Sequence, residues 1–203
     1  MADESFDVIV IGAGPGGYVA AIRAAQLGKT TAVVESDKAG GRCLNYACIP
    51  AKTMLHTAEV LDEARNSADI GVKVQGAELD WDALGQRRTD VSASLSGGVK
   101  GLFDKNKIRF IEGEGSLTAD GDVEVGGTVY GAGKVILATG SVAQAIPGVD
   151  FSDRVLDTWG AWSLAEQPKK IAVVGAGASG SEIASAYIRY GTEVILVEML
   201  DQI

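Results

Sequence analysis

The sequence predicts an α/β fold with parallel β-sheets, and the order of the first elements is the main reason. Phe6–Ile11 is a β-branched run of the length of a buried parallel strand, and the glycine-rich segment Gly12–Gly17 follows it directly. Tyr18–Leu27 has helical spacing. A second strand, Thr31–Val34, then ends at an acid, Glu35. This order is typical of a βαβ unit that binds a dinucleotide.

The glycines of this unit have a physical role in such a site. Gly12, Gly14 and Gly17 would let the backbone and a helix N-terminus approach a diphosphate. An acid at the position of Glu35 would bind ribose hydroxyls. The alternative is a glycine-rich turn in an ordinary βαβ unit, and the agreement of all five features favours the nucleotide.

The same pattern occurs a second time. Ile171–Val174 is followed by Gly175–Gly180, by a helix to Tyr190, and by the strand Glu193–Val197. Glu198 closes this strand as Glu35 closes the earlier one. An internal repeat of the pattern predicts two dinucleotides. Glu198 favours NAD, because a carboxylate would repel the 2′-phosphate of NADP.

Both cysteines of the chain lie between these two units, in the stretch Gly40–Lys52. An ideal helix separates residues i and i+5 by roughly 8–9 Å, more than the ~7 Å that a disulfide spans, so a Cys43–Cys48 bond requires a distorted helix start. Gly40, Gly41 and Pro50 would allow that distortion. A redox disulfide, two inert thiols and a zinc site are the possibilities, and zinc would need two more ligands.

The rest of the chain alternates helix and strand signals. Thr53–Arg65 has helical spacing, and its His56 lies about 12 Å along the axis from Cys48, too far to be the proton partner of that thiol. Apolar residues from Trp81 to Phe103 predict one long amphipathic helix. Ile108–Tyr130 predicts a β-meander, whose carboxylates we interpret as a solvated face, and Lys134–Ser141 predicts another buried strand.

Composition excludes several classes of function. The formal net charge of −9 argues against nucleic acid and anionic membranes as partners, and no apolar run approaches the ~20 residues of a spanning helix. The acidic start, Met1–Ser5, differs from a signal peptide, so we expect a cytoplasmic protein. In a reducing compartment a lone cysteine pair is more often catalytic or transient than structural. With one histidine and two cysteines, no metal site is expected.

On these residues the sequence resembles the N-terminal portion of the flavin-dependent pyridine nucleotide–disulfide oxidoreductases, and among them the dihydrolipoamide dehydrogenases. The segment Asp7–Gly28 matches their pattern almost without gaps, and the resemblance continues to the last residue. It implies a Rossmann-like FAD-binding domain with an inserted β-meander over residues 1–146. The first βαβ unit of a second, NAD-binding Rossmann-like domain would then occupy residues 147–203.

The resemblance also implies a role for each matching residue. Cys43 resembles the cysteine that exchanges with a dithiol substrate, and Cys48 the cysteine that faces the flavin. Lys52 resembles the lysine beside flavin N5, and Glu182 its ionic partner. The implied FAD contacts are Gly12, Gly14, Pro15, Gly16, Gly17, Glu35, Gly41, Arg42, Lys52, Gly115, Ala138, Thr139, Gly140 and Ser141. The implied NAD contacts are Gly175, Gly177, Ala178, Ser179, Gly180 and Glu198.

The implied reaction is the oxidation of a dihydrolipoyl group, carried by an acyltransferase or carrier protein, with NAD⁺ as acceptor. The family acts as a homodimer through a C-terminal domain that supplies the base, and these residues do not include that domain. A glutathione or mercuric reductase type is one alternative, and a non-catalytic cofactor-binding piece is another. Arg42, Tyr46-Ala47 and Ser179 depart from the family pattern beside the disulfide and the nicotinamide site.

Overall fold

The computed structural model describes residues 4–201, which form two compact units. The first unit comprises the residues up to Tyr46 and Ser92–Val142, and the second comprises Ala47–Val91 and the residues from Ala143 onward. Residues 1–3 of the acidic start lie outside the described residues. The elements in chain order are β1 (Glu4–Ile11), α1 (Pro15–Gln26), β2 (Thr31–Glu35), α2 (Gly41–Asn45), α3 (Cys48–Asn66), the short 3-10 helix Ser67–Ile70, α4 (Trp81–Lys105), β3 (Arg109–Glu112), β4 (Gly115–Leu117), β5 (Val123–Val125), β6 (Thr128–Leu137), α5 (Thr158–Trp162), β7 (Lys170–Val174), α6 (Ala178–Tyr190) and β8 (Glu193–Val197).

A six-stranded sheet with the order β3-β2-β1-β6-β5-β4 forms the first unit. Its strands β3, β2, β1 and β6 are parallel, whereas β5 and β4 are antiparallel. Ile9 and Val10 of β1 and Val33 of β2 are fully buried, as expected for parallel strands that are covered on both faces. The predicted parallel α/β fold is therefore confirmed, and the carboxyl ends of β1 and β2 lie side by side.

The helix α1 ends within one residue of its predicted end at Leu27, but it begins at Pro15, three residues before the predicted start at Tyr18. Gly14 precedes its first residue, Pro15, whose fixed φ suits the first helical position. After Leu27, Gly28 adopts a left-handed φ of 80°, and its N–H donates to the Ala25 carbonyl. Since the helix starts directly after β1, its N-terminus lies at the carboxyl edge of the sheet.

Two of the strand predictions need correction. Arg109–Glu112 is not part of a meander, because β3 pairs parallel with β2 and the meander consists of β4, β5 and β6. Alternation within the segment could not reveal a partner that lies so far back in the chain. The strand predicted at Lys134–Ser141 belongs to one long strand that ends at Leu137. It is also more exposed than predicted, with Leu137 61% exposed, because β5 pairs only with the first residues of β6.

The second unit contains the repeated βαβ pattern. The strands β7 and β8 are parallel neighbours, and α6 connects them. α3 packs beside α6 around a buried cluster that includes Met54, Ile183 and Tyr187. The predicted long helix is confirmed as α4, whose Trp81 ring lies 5.7 Å from the Tyr190 ring, centroid to centroid. The predicted boundary between residues 146 and 147 stays a prediction.

No helix within residues 4–201 is both long and apolar enough to cross a bilayer.

Candidate functional site

The glycine-rich turn after β1 is packed too closely for a side chain at Gly12 or Gly17. A Cβ atom at Gly12 would lie 2.2 Å from the Ala138 carbonyl oxygen, and one at Gly17 would lie 1.8 Å from the Gly12 carbonyl oxygen. Gly12 also has a φ of 103°. A Cβ atom at Gly41 would lie 2.6 Å from the Gly14 Cα atom. With no side chains at these positions, an anionic ligand can approach the backbone N–H groups at the start of α1.

The acid at the end of β2 holds this turn in place. Glu35 Oε2 accepts a hydrogen bond from the Ala13 N–H at 2.8 Å, across 22 residues of sequence. Its other oxygen, Oε1, accepts from the Asp37 N–H at 2.9 Å. The Gly40 N–H in turn donates to the Ala13 carbonyl at 2.9 Å. The sequence predicted Glu35 as a ribose ligand, and the structure adds these two backbone contacts.

A cavity of about 360 Å³ opens at this edge of the sheet. That volume is within the range of small-molecule sites, roughly 300–1,000 Å³. It brings together many of the residues that the resemblance implies for FAD: Gly12, Gly14, Glu35, Gly41, Arg42, Gly115, Ala138, Thr139, Gly140 and Ser141. The remaining three of the glycine-rich segment, Pro15, Gly16 and Gly17, belong to the first turn of α1.

Sequence reasoning missed other residues of the cavity wall. These are Ile11, Val34, Ser36, Asp37, Tyr46, Gly113 and Glu114. The Tyr46 hydroxyl donates to Asp37 Oδ2 at 2.6 Å. Burial and the hydrogen bond to this carboxylate raise the pKa of Tyr46 to about 12. Tyr46 was visible in the sequence as a departure from the family pattern, but nothing in the sequence indicated its partner.

The short helix α2 carries Cys43 and is held by side chains of the same unit. The buried amide of Asn45 donates to the carbonyls of Ala39, at 3.1 Å, and Gly41, at 2.9 Å. The Ser96 hydroxyl of α4 donates to the same Ala39 carbonyl at 2.7 Å. The loop before Cys43 is therefore ordered by buried polar contacts, which is how a buried amide is normally satisfied.

Cys43 and Cys48 are disulfide-bonded to each other, since both are bonded and the sequence has no other cysteine. The disulfide that the sequence left as one of three possibilities is therefore confirmed. The expected helix distortion is present as well. α2 ends at Asn45 and α3 starts at Cys48, while Tyr46 (φ −135°) and Ala47 (φ −131°) between them are not helical.

Lys52 and Glu182 form an ion pair in the second unit. Lys52 Nζ on α3 lies 2.6 Å from Glu182 Oε1 on α6, although 130 residues separate them in sequence. The two side chains are 61% and 36% exposed, so the pair stabilises the fold by no more than about 1 kcal/mol. Its geometry thus matters more for orienting the lysine than for stability. His56 is exposed, and its Nδ1 lies 3.9 Å from Glu59 Oε2 on its own helix.

The second glycine turn repeats the first one closely. A Cβ atom at Gly180 would lie 1.8 Å from the Gly175 carbonyl oxygen, and Gly175 has a φ of 96°. Glu198 Oε2 accepts from the Ala176 N–H at 2.7 Å, again across 22 residues. A cavity of about 390 Å³ along β7 includes Ser179 and Gly180 in its wall. Of the other implied NAD contacts, Gly175 and Gly177 lie in the turn, Ala178 is the first residue of α6, and Glu198 follows β8.

Backbone contacts also keep Glu198 ionised. Its Oε1 accepts from the N–H groups of Met199 and Leu200 at 2.7 and 2.9 Å. Hydrogen bonds from the backbone of Leu200, Ala176 and Met199 lower the pKa of Glu198 below its usual value of 4.5. The carboxylate is therefore negative over the whole physiological pH range.

The chain belongs to the pyridine nucleotide-disulphide oxidoreductase family, whose model matches residues 6–203. The glycine turns, the acids Glu35 and Glu198 and the disulfide described above are thus found in a member of a family of oxidoreductases.

Three similar proteins are named as dihydrolipoyl dehydrogenases. The chain is 44% identical to a dihydrolipoyl dehydrogenase of Chlamydia muridarum over 99% of its own length, and 42% identical to one of Staphylococcus aureus over 95%. It is 41% identical over its full length to a mitochondrial dihydrolipoyl dehydrogenase of Pisum sativum. The chain spans between 42% and 44% of the length of these relatives.

The fold is also similar to that of a solved flavoprotein disulfide reductase. The HOCl-induced flavoprotein disulfide reductase RclA from Escherichia coli superimposes with a TM-score of 0.81 and is 26% identical. The match covers 97% of this chain and 42% of the RclA chain.

Proposed function

We propose that the protein is a dihydrolipoyl dehydrogenase, which oxidises dihydrolipoyl groups with NAD⁺, and that this chain carries its FAD cavity, its redox disulfide and the start of its NAD site. The observation that carries the proposal is the Cys43–Cys48 disulfide at the start of α3, directly after a nucleotide cradle. The names of the relatives at 41% to 44% identity support the substrate class.

The cavity of the first unit fits the adenosine diphosphate half of FAD. Side chains at Gly12, Gly17 or Gly41 would collide with backbone atoms, so the turn is shaped for close approach of a ligand. The N-terminus of α1 favours the negative diphosphate. Glu35 and Asp37 on the wall suit ribose hydroxyls. When bound, FAD supplies a two-electron carrier between the disulfide and the nicotinamide.

The disulfide would react by thiol–disulfide exchange. A thiolate of the dihydrolipoyl group attacks Cys43 Sγ, the Cys43–Cys48 bond breaks, and Cys48 leaves as a thiolate. The second thiolate of the substrate then attacks the mixed disulfide and releases Cys43. The dithiol becomes a cyclic disulfide and loses two electrons and two protons, and the protein gains two thiol groups.

The position of Cys48 is suited to a thiolate. It is the first residue of α3, where the positive end of the helix dipole favours a negative charge. Lys52 lies one turn further along the same helix, so its ammonium group also favours the negative sulfur. Glu182 holds that ammonium, and the resemblance implies that Lys52 then contacts flavin N5.

A substrate panel tests the proposal. The protein purified from its natural source should contain FAD and should form NADH from NAD⁺ when dihydrolipoamide is added, with two thiols per subunit appearing after reduction in the absence of NAD⁺. Oxidised glutathione with NADPH should give no turnover. Turnover with glutathione and NADPH, or a protein without flavin, would contradict the proposal.

The preference for NAD gives a second test. In Glu198→Gln the charge that repels a 2′-phosphate is removed, so the use of NADPH relative to NADH should rise about tenfold. Because its pKa is lowered, Glu198 stays charged below the usual carboxyl value, and the preference of the unchanged protein should be constant from about pH 8 to about pH 7, where the 2′-phosphate is mainly dianionic as well. An equal preference for NADH in the unchanged protein and in Glu198→Gln would show that Glu198 is not responsible.

The proposed activity also implies a partner. The partner is a dihydrolipoyl group on an acyltransferase or carrier protein of a 2-oxo acid dehydrogenase complex. A homodimer and a cytoplasmic location stay predictions.

A further inference from the structure

A chain of hydrogen bonds in the first unit connects the glycine turn to the segment between the cysteines. The Ala13 N–H donates to Glu35 Oε2 at 2.8 Å, and the Asp37 N–H donates to Glu35 Oε1 at 2.9 Å. The Tyr46 hydroxyl donates to Asp37 Oδ2 at 2.6 Å. Since Glu35, Asp37 and Tyr46 all line the cavity, this network runs along the wall against which the adenosine half of FAD would bind.

Tyr46 lies at the point of the backbone that the disulfide constrains. Its φ and ψ are −135° and −12°, and those of Ala47 are −131° and −91°, so the helix is interrupted at these two residues. A regular helix would hold residues i and i+5 too far apart for a disulfide. Opening the disulfide therefore removes the constraint that keeps the Tyr46 backbone out of a helical conformation.

The Tyr46 side chain is fixed at both its ring and its hydroxyl. Lys38 Nζ lies 5.3 Å from the centroid of the ring, a cation–π distance, while the hydroxyl holds Asp37. The raised pKa of Tyr46 keeps the hydroxyl protonated, so it remains a donor at neutral pH. A shift of the Tyr46 backbone would thus displace the loop Ser36–Lys38, because the hydrogen bond to Asp37 and the ring contact with Lys38 join the two.

We propose that Tyr46 is a positioning residue that couples the oxidation state of the Cys43–Cys48 disulfide to the affinity of the cavity for the adenosine half of FAD. The inference rests on the proposed function. When a dithiol transfers two electrons and two protons to the disulfide, the sulfur–sulfur bond breaks and the dithiol is itself oxidised. The Tyr46 backbone then leaves its non-helical conformation, and its side-chain hydrogen bond to Asp37 weakens. The part of the cavity wall that contains Glu35 is held less firmly as a result. Because such coupling is reciprocal, bound FAD also favours the disulfide over the dithiol.

The rate of FAD release from the flavin-loaded protein tests this coupling. Release is followed by the rise of free-flavin fluorescence after dilution, once with the disulfide intact and once after anaerobic reduction with tris(2-carboxyethyl)phosphine. The measured quantity is the ratio of the reduced rate to the oxidised rate. We expect this ratio to be about fivefold smaller in Tyr46→Phe than in the unchanged protein.

Further variants separate coupling from simple damage to the site. Asp37→Ala should lower the ratio as Tyr46→Phe does. The double variant should lower it no further, since the two substitutions remove the same hydrogen bond. Tyr130→Phe is the matched control, because Tyr130 packs against the core of the first unit. If Tyr46→Phe does not fold, Asp37→Ala carries the same comparison.

The outcomes distinguish the two proposals. If the ratio is unchanged in Tyr46→Phe and Asp37→Ala while both proteins hold FAD, the coupling is wrong and the proposed function stands. If the unchanged protein holds no FAD, the proposed function itself fails.

Discussion

Replacing Cys48 by serine should lower the rate of NADH formation from dihydrolipoamide by at least about a thousandfold, the size of effect that loss of an essential nucleophile produces. Without Cys48 Sγ there is no disulfide to accept electrons, and a serine oxygen cannot form a bond that a thiolate would exchange with. Cys43→Ser should cause a loss of similar size, because the disulfide sulfur that the substrate attacks is then absent. Steady-state assays of the flavin-loaded variants give the comparison.

A histidine variant provides the control for this experiment. His56 is exposed and its nearest ionic partner is Glu59 on its own helix, so His56→Gln should keep nearly full activity. Thiol titration adds a check, since each serine variant should show one thiol without any reductant. Activity that persists in Cys48→Ser, or that falls equally in His56→Gln, would refute the assigned roles.

Replacing Gly17 by alanine should destabilise the first unit by about 3 kcal/mol or more and prevent retention of FAD. The added Cβ atom would lie 1.8 Å from the Gly12 carbonyl oxygen. Both the Gly12 backbone and the α1 backbone at residue 17 are fixed, so neither can move aside as a flexible side chain could. Relief of the collision would require α1 to separate from the turn that binds the diphosphate. Chemical denaturation and the flavin content of the purified variant measure both effects.

The neighbouring glycine offers a matched control. A Cβ atom at Gly16 would meet no atom within 4 Å, so Gly16→Ala should fold normally and gain up to about 1 kcal/mol from higher helix propensity. Gly180→Ala should repeat the loss in the second unit, since Gly180 has the same contact with Gly175. Equal stability of Gly17→Ala and Gly16→Ala would show that the turn tolerates a side chain.

The features that sequence could predict are the local ones. The turn at Gly12–Gly17 and the acid Glu35 are close in the chain, and their order follows from the requirements of one βαβ unit, so both copies of the pattern were recognisable. The break between α2 and α3 was also predictable, because the spacing of Cys43 and Cys48 does not suit a regular helix.

The features that sequence could not predict depend on distant contacts. Lys52 and Glu182 meet across 130 residues, and only the resemblance to a family suggested the pair. The parallel pairing of β3 with β2 is set by the return of the chain after α4, so the alternation within Arg109–Glu112 gave no sign of it. Asp37 was missed because an exposed acid after a strand is common, and its hydrogen bond to Tyr46 appears only in the folded loop.

The carboxylates of Glu35 and Glu198 each fasten the glycine turn beside them, and this limits how the choice of coenzyme can be re-engineered. Substituting Glu198 with a basic residue to admit a phosphorylated ribose would also remove the acceptor for the amides of Ala176, Met199 and Leu200. Selectivity and loop order would then change together. A designer would do better to leave this acid in place and to add a positive charge further along the loop.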